Sequence, residues 1–230
     1  PYSLSSMWEG RTRNDYYIIS LESGEQTELK KAEYSRLRLS PFGKFAWWYA
    51  ETDSSWYTIS LMDRKEYSLT TPTSFLAWDE DNDVPAFPRA HGSAGWGADD
   101  NELFLYDRYD IWKFDPKGTS SPVNITNGRS KKMVYRFIQL DPEAKHIDTK
   151  KPQLLSGFNE KTKGSGYYQA SLAKATTPKV LIEGDFMLRT PVKAKNKDAI
   201  LYTKETFEQY PEIHVSDLSF SKSIQLTQEG

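Results

Sequence analysis

Apolar residues recur along this chain in short runs of alternating character, and clusters of turn formers bound each run. Tyr16-Tyr17-Ile18-Ile19-Ser20-Leu21 is followed by Glu22-Ser23-Gly24-Glu25. Phe45-Ala46-Trp47-Trp48-Tyr49 is entered through Ser40-Pro41-Phe42-Gly43-Lys44, and Leu103-Phe104-Leu105-Tyr106 through Asp99-Asp100-Asn101. Ala199-Ile200-Leu201-Tyr202 follows Lys195-Asn196-Lys197-Asp198. Short alternating runs between turn clusters are the signature of half-buried strands. No segment carries the three-turn periodicity of an amphipathic helix, so the pattern predicts a chain that is nearly all β.

A longer period overlies the strands. Units end on an aliphatic residue set between polar ones: Glu28-Leu29-Lys30, Ser68-Leu69-Thr70, Asn124-Ile125-Thr126, Leu181-Ile182-Glu183 and Gln225-Leu226-Thr227. From Leu29 to Leu69, Ile125, Leu181 and Leu226 the gaps are 40, 56, 56 and 45 residues. That interval suits a four-stranded propeller blade, nominally ~40–50 residues, with insertions in two units. The order inside the units also repeats. Trp56-Tyr57-Thr58-Ile59 and Tyr67-Ser68-Leu69-Thr70 follow the first aromatic run as third and fourth strands. Ile111-Trp112-Lys113-Phe114 and Val123-Asn124-Ile125-Thr126 do the same one unit later, joined by the turn Asp115-Pro116-Lys117-Gly118. One such sheet cannot cover both its faces, so neighbours must stack on it. The expected fold class is all-β, a partial β-propeller of about four to five four-stranded blades. Its boundaries fall near 1–30 (partial, the outer strands from Asp15 to Leu29), 31–72, 73–128, 129–184 and 185–230.

Composition supports this and excludes several functions. The 230 residues suffice for a sizeable core. Seven Trp and 14 Tyr suit strands, whose pleated faces pack flat rings. A net charge of -2 gives no sign of a phosphate-binding face, so no nucleic-acid partner is expected. The absence of cysteine excludes disulfides, thiol catalysis and Cys-ligated zinc. No apolar run reaches the ~18–20 residues of a membrane span. Pro1-Tyr2-Ser3-Leu4 lacks the basic and apolar regions of a signal peptide, and a start without Met suggests a processed or excised chain.

His91-Gly92-Ser93-Ala94-Gly95-Trp96-Gly97 invites a hydrolase reading. A nucleophile elbow, however, needs Gly-x-Ser-x-Gly on a strand-to-helix turn. Here His91 replaces the first glycine and a polar turn and a strand follow, so the small residues are read as letting a strand turn near the propeller axis. His146, in a polar loop, and His214, in the strand Pro211 to Ser216, do not complete a triad, although a triad is geometric and sequence distance alone cannot exclude one. Asp79-Glu80-Asp81-Asn82-Asp83 resembles the start of a calcium loop, but Val84 and Ala90 stand where an EF-hand needs Gly and Glu. Gly164-Ser165-Gly166 lacks the lysine of a phosphate loop and reads as a hairpin. No metal or other cofactor is expected. Tyr106-Asp107-Arg108-Tyr109-Asp110 alternates charge and aromatic between two strands. Asp107, Arg108 and Tyr109 are therefore candidate substrate-binding residues, with Arg108 suited to clamp a carboxylate. The same residues could close a hairpin or pair between blades.

One family resemblance emerges from this segment. "YDRYDIWKFDPKG", preceded by "AGWGADDNELFLY" and followed by "NITNGR", resembles the N-terminal propeller of bacterial prolyl-oligopeptidase-type serine peptidases (S9; dipeptidyl-peptidase and acylaminoacyl-peptidase relatives), especially exported Bacteroidetes members. "SLSSMWEGRTRNDYY", "KKPQLLSGFNEKTKGSGYY" and "LYTKETFEQYPEIHVSDL" extend it along the chain. The resemblance implies a periplasmic or extracellular protein whose propeller caps a C-terminal α/β-hydrolase domain and admits only short or unfolded peptide substrates. The family's Gly-x-Ser-x-Gly is absent here, as are its paired glutamates for a substrate N-terminus, so no catalytic residue carries over and the chain alone is expected to be inactive. A stand-alone propeller that binds a protein or ligand is the alternative; a propeller lyase or glycosidase is a third.

Overall fold

A computed structural model describes residues 2–70 and 75–229. After a short helix, α1 (Ser3–Glu9), the described chain is built of antiparallel strands. β1 (Asn14–Ile19) and β2 (Gln26–Glu33) form a two-stranded ribbon. Four four-stranded meanders follow. The first holds β3 (Arg38–Leu39), β4 (Phe45–Ala50), β5 (Ser55–Ser60) and β6 (Glu66–Ser68). The second holds β7 (Ser93–Trp96), β8 (Leu103–Tyr106), β9 (Ile111–Phe114) and β10 (Val123–Asn124). The third holds β11 (Met133–Phe137), β12 (Gln153–Asn159), β13 (Ser165–Ala170) and β14 (Lys179–Gly184). The fourth holds β15 (Met187–Lys193), β16 (Ile200–Glu205), β17 (Glu212–Ser216) and β18 (Ile224–Gln225). The expected junction between residues 72 and 73 lies outside the described residues. The helix departs from the all-β pattern of the sequence, because seven residues are too few to show a 3.6 period. Its Trp8 is 91% exposed, so no apolar face anchors it.

Strand alternation sends neighbouring side chains to opposite faces, and here the two faces belong to different interfaces. On β4, Phe45 and Trp47 pack toward the second meander, against Trp96, Leu103 and Leu105. Ala46, Trp48 and Ala50 on the same strand face the other way, toward Leu29 of the ribbon. On β8, Leu103 and Leu105 meet the first meander, whereas Phe104 and Tyr106 join Tyr135, Leu155 and Tyr168 of the third. On β12 and β13, Leu155 and Tyr168 face the second meander, while Leu154 and Tyr167 face Ile200 and Tyr202 of the fourth. Rings fill these seams. Phe45 stacks on Trp96 of the second meander at 5.8 Å, and Tyr167 meets Tyr202 of the fourth edge-on at 5.9 Å. This is the stacked-leaflet build of a partial β-propeller.

The repeated aliphatic-threonine pair has a physical explanation. In three meanders it locks the end of the outer strand onto the third strand. The amides of Leu69, Ile125 and Leu226 donate to the carbonyls of Trp56, Ile111 and Ile213 at 2.9, 2.8 and 2.7 Å. The amides of those three residues donate back to the hydroxyls of Thr70, Thr126 and Thr227 at 3.1, 3.1 and 2.9 Å. The third meander departs from this: Glu183 stands at the threonine position and instead accepts from the Tyr168 hydroxyl at 2.6 Å.

The lock also aligns the sheets residue by residue and exposes a difference between them. Trp56 and Leu69 are 6% and 4% exposed under the second meander, and Ile111 and Ile125 are both fully buried under the third. Their equivalents in the fourth meander, Ile213 and Leu226, are 40% and 56% exposed. With Leu201 and Ile224 they form an outward apolar face.

Thr126 is buried, and it also donates to buried Asp110 at 2.7 Å. Thr126→Val is expected to destabilise the protein by about 1–3 kcal/mol, because two buried groups lose their partner. Urea unfolding should show the loss as a lower midpoint at an unchanged m-value.

Candidate functional site

Ser93 begins β7, the first strand of the second meander. The strand bulges between Ser93 and Gly95, and Gly95 adopts φ 126°, which favours glycine at the bulge. No helix follows; β7 runs on to Trp96 and a short 3-10 turn. Among the described residues no histidine hydrogen-bonds to Ser93. His91 is partly buried, and burial together with the nearby Arg136 holds its imidazole below the ordinary histidine pKa. His146 lies beside Phe42, with ring centroids 5.6 Å apart, and His214 stacks on Tyr202 at 5.4 Å. The histidines thus sit against different sheets. Among the described residues no group of three or more His, Asp or Glu is arranged to hold a metal.

The hairpin between β8 and β9 carries the densest polar network. Asp107 is fully buried and accepts from the Tyr109 and Asp110 amides at 2.8 and 2.6 Å, which fixes the turn. It also accepts from the Trp112 indole at 3.1 Å and from Arg129 at 3.0 Å. Asp110 is likewise buried and accepts from Asn124 at 3.1 Å and from the Gly128 amide. Buried carboxylates are tolerated only when donors saturate them, and both of these have several. Arg136 on β11 closes the hairpin from the next meander, donating to the Asp107 and Arg108 carbonyls at 3.2 and 3.0 Å.

Arg108 points outward from this hub, its side chain 26% exposed, between Asp81 at 2.5 Å and Glu160 at 3.0 Å. Tyr109 is 1% exposed; it donates to Glu160 at 2.7 Å and accepts from Lys132 at 3.0 Å. Burial alone would raise the Glu160 carboxyl, but the Tyr109 and Arg108 hydrogen bonds outweigh it and hold the group below the usual carboxylate range. The structure therefore brings Asp107, Arg108 and Tyr109 together, with two enclosed and only Arg108 reaching solvent. Asp107 closes the hairpin, and Arg108 pairs with the segment before β7 and with the third meander. The acidic run from Asp79 is part of this network: Glu80 binds Arg129 at 2.8 Å and Asp81 binds Arg108. Glu160, Arg129 and Lys132 had no signal in the sequence, because each is 20 or more positions from Arg108 and the sheet stacking alone makes them neighbours.

No protein-family profile matches this sequence, and no curated protein does either. Solved structures do resemble the fold. An oligogalacturonate lyase from Vibrio parahaemolyticus superposes with a TM-score of 0.55 at 9% identity, over 95% of this chain and 61% of the other. TolB from Acinetobacter baumannii gives 0.45 at 10% identity, over 93% and 48%. A prolyl endopeptidase gives 0.24 at 14% identity, over 94% and 46%. The chain spans about half to three-fifths of the first two structures. At such identity the similarity to the lyase speaks for the fold alone.

A depressed carboxyl stabilises the fold above the pKa it has when unfolded, and that stability is lost as pH falls through the folded value. Glu160→Gln is therefore expected to cost about 1–2 kcal/mol at pH 7, moderated by the exposure of the site. The gap from the wild type should narrow at acidic pH, where Glu160 becomes protonated in the folded wild type and the same interaction is lost. Paired denaturation curves at neutral and acidic pH check this.

Proposed function

We propose that this chain is a non-catalytic propeller segment of a larger protein, a serine peptidase of the prolyl-oligopeptidase type, in which it caps an α/β-hydrolase domain and filters peptide substrates. The observation that carries the segment reading is the outward face of the fourth meander. Ile213 and Leu226 are exposed where the first two meanders bury the equivalent residues, so a further sheet is proposed to cover them. The peptidase reading is supported by the ordered sequence segments from Ser3 to Leu218 that resemble that family. In this reading the blades divide near residues 30, 72, 128 and 184, the hydrolase domain and peptides are the partners, and the protein is periplasmic or extracellular. Among the described residues no helix is long and apolar enough to cross a membrane. Arg108 is proposed to meet substrate at the rim, exchanging Asp81 for a peptide carboxylate, with Asp107 and Tyr109 positioning it.

The test compares this 230-residue chain with the full-length gene product. A fluorophosphonate probe is expected to label the full-length protein at a serine outside this chain and to leave the isolated chain unlabelled. Removal of the propeller should let the hydrolase cut longer or folded substrates. Labelling of the isolated chain, or a gene product without a hydrolase domain, would contradict the proposal.

A further inference from the structure

A second site lies away from the hairpin, in a cleft of about 490 Å³ between the β2–β3 connection, β4 and β5, and the start of β7. That volume falls within the range of small-molecule sites, about 300–1,000 Å³. Arg11, Arg36 and Arg38 line it, and Glu51 is the one carboxylate among the lining residues. The cleft is thus cationic in a chain whose net charge is -2.

The three guanidinium groups are not equally engaged. Arg11 binds Glu51 at 2.7 Å and lies 4.7 Å over the Tyr34 ring and 5.0 Å over Phe87, so it is held in place. Arg38 lies 5.6 Å over Trp47 and forms no ion pair or hydrogen bond among the described residues. Arg36, exposed, forms none of these contacts. At the β8–β9 hairpin, by contrast, Arg108 and Arg129 each hold two carboxylates. Arg36 and Arg38 are left without one, two positions apart and in the same cleft.

The rings of Tyr34, Tyr49 and Trp56 also line it, beside the small residues Thr12, Ser35, Ala90, Gly92 and Ser93. Trp56 is 6% exposed, and its indole N–H meets no acceptor among the described residues. Unpaired guanidinium groups beside flat apolar walls suit a ligand that pairs a planar anion with an apolar body, since arginine's fork matches a carboxylate.

We propose that this cleft binds a small carboxylate-bearing ligand of roughly dipeptide size, with Arg36 and Arg38 clamping the carboxylate and the Tyr34–Trp56 walls holding its apolar part. Glu51 restrains Arg11 and competes with the ligand for it. The proposal is independent of the peptidase reading, because the cleft and its charges lie within this chain.

Calorimetric titration of the purified chain tests it with four probes: N-acetyl-glycyl-phenylalanine, its C-terminal amide, 3-phenylpropionate and inorganic phosphate. The free peptide acid is expected to bind at least tenfold tighter than the amide. Arg36→Ala and Arg38→Ala should each weaken it about tenfold, the loss of about one charge-assisted hydrogen bond, with unchanged melting temperatures because both side chains are exposed. Glu51→Gln should tighten it several-fold, an effect that a purely structural arginine cluster would not produce. Phenylpropionate binding as tightly as the peptide would support the site and assign it to small organic acids; a peptide preference would support it and assign it to peptides. Equal binding of acid and amide, no binding of either acid, phosphate binding tighter than both, indifference to Arg36→Ala and Arg38→Ala, or weaker binding by Glu51→Gln would each overturn the proposal.

Discussion

A four-stranded sheet has two faces, and in this protein each inner face must find a different partner. That constraint governs the rest. Successive residues of a strand point to opposite sides, so Leu103 and Phe104 are covalent neighbours in two separate cores. The same division separates Leu154 from Leu155 and Tyr167 from Tyr168. A strand covered on both faces has no room for polar alternation, which is why β4 and β8 read as almost continuous apolar runs. Full burial of a large apolar side chain contributes about 1.5–3 kcal/mol. A single meander, with half of that surface uncovered, could not offset its ordering entropy.

Once apolar faces are committed to neighbours, polar groups are pressed into turns and strand ends, and there the buried carboxylates work. Asp100 accepts from the Ser40 hydroxyl at 2.5 Å and from the Phe42 and Lys44 amides at 3.1 Å each. An acid of the second meander thus shapes a turn of the first. Asp107 and Asp110 do the same for the β8–β9 hairpin and the segment after β10. Asp100 thus joins two sheets, while Asp107 and Asp110 fix the loops from which Arg108 projects.

How much of this was legible in the sequence depended on whether the signal was local. The strands were, because alternation and turn clusters are local. The ribbon occupies Asn14–Ile19 and Gln26–Glu33, and Ile182 and Gln225 lie in outer strands, whereas Ile125 lies just past the end of β10. The reason for the repeat was not legible, since the Thr70, Thr126 and Thr227 locks join residues 14 or 15 apart across a hairpin. The split of Phe104 from Leu105 between two cores was implied by the period, but the partners were not. At the site, the Tyr106–Asp110 segment stood out by its density of charge and aromatic residues. The burial of Asp107 and Tyr109 and the pairing of Arg108 with Glu160 depended on stacking, which no single segment encodes. The arginine cleft was silent for the same reason: Arg11, Arg36 and Ser93 meet only in three dimensions.

Each sheet is held by the sheets on either side of it. Native-state amide hydrogen exchange on dilute protein reads this directly, because local opening follows the coverage of each element. The second and third meanders, covered on both faces, should exchange through the highest-energy openings, so Phe104, Leu105, Leu155 and Tyr168 should be the best-protected amides. The fourth meander, open on the Leu201–Ile213 face, should exchange at distinctly lower free energy, with Val215 and Tyr202 released first. Equal protection across all four meanders would mean that something other than the neighbouring sheet holds each leaflet in place.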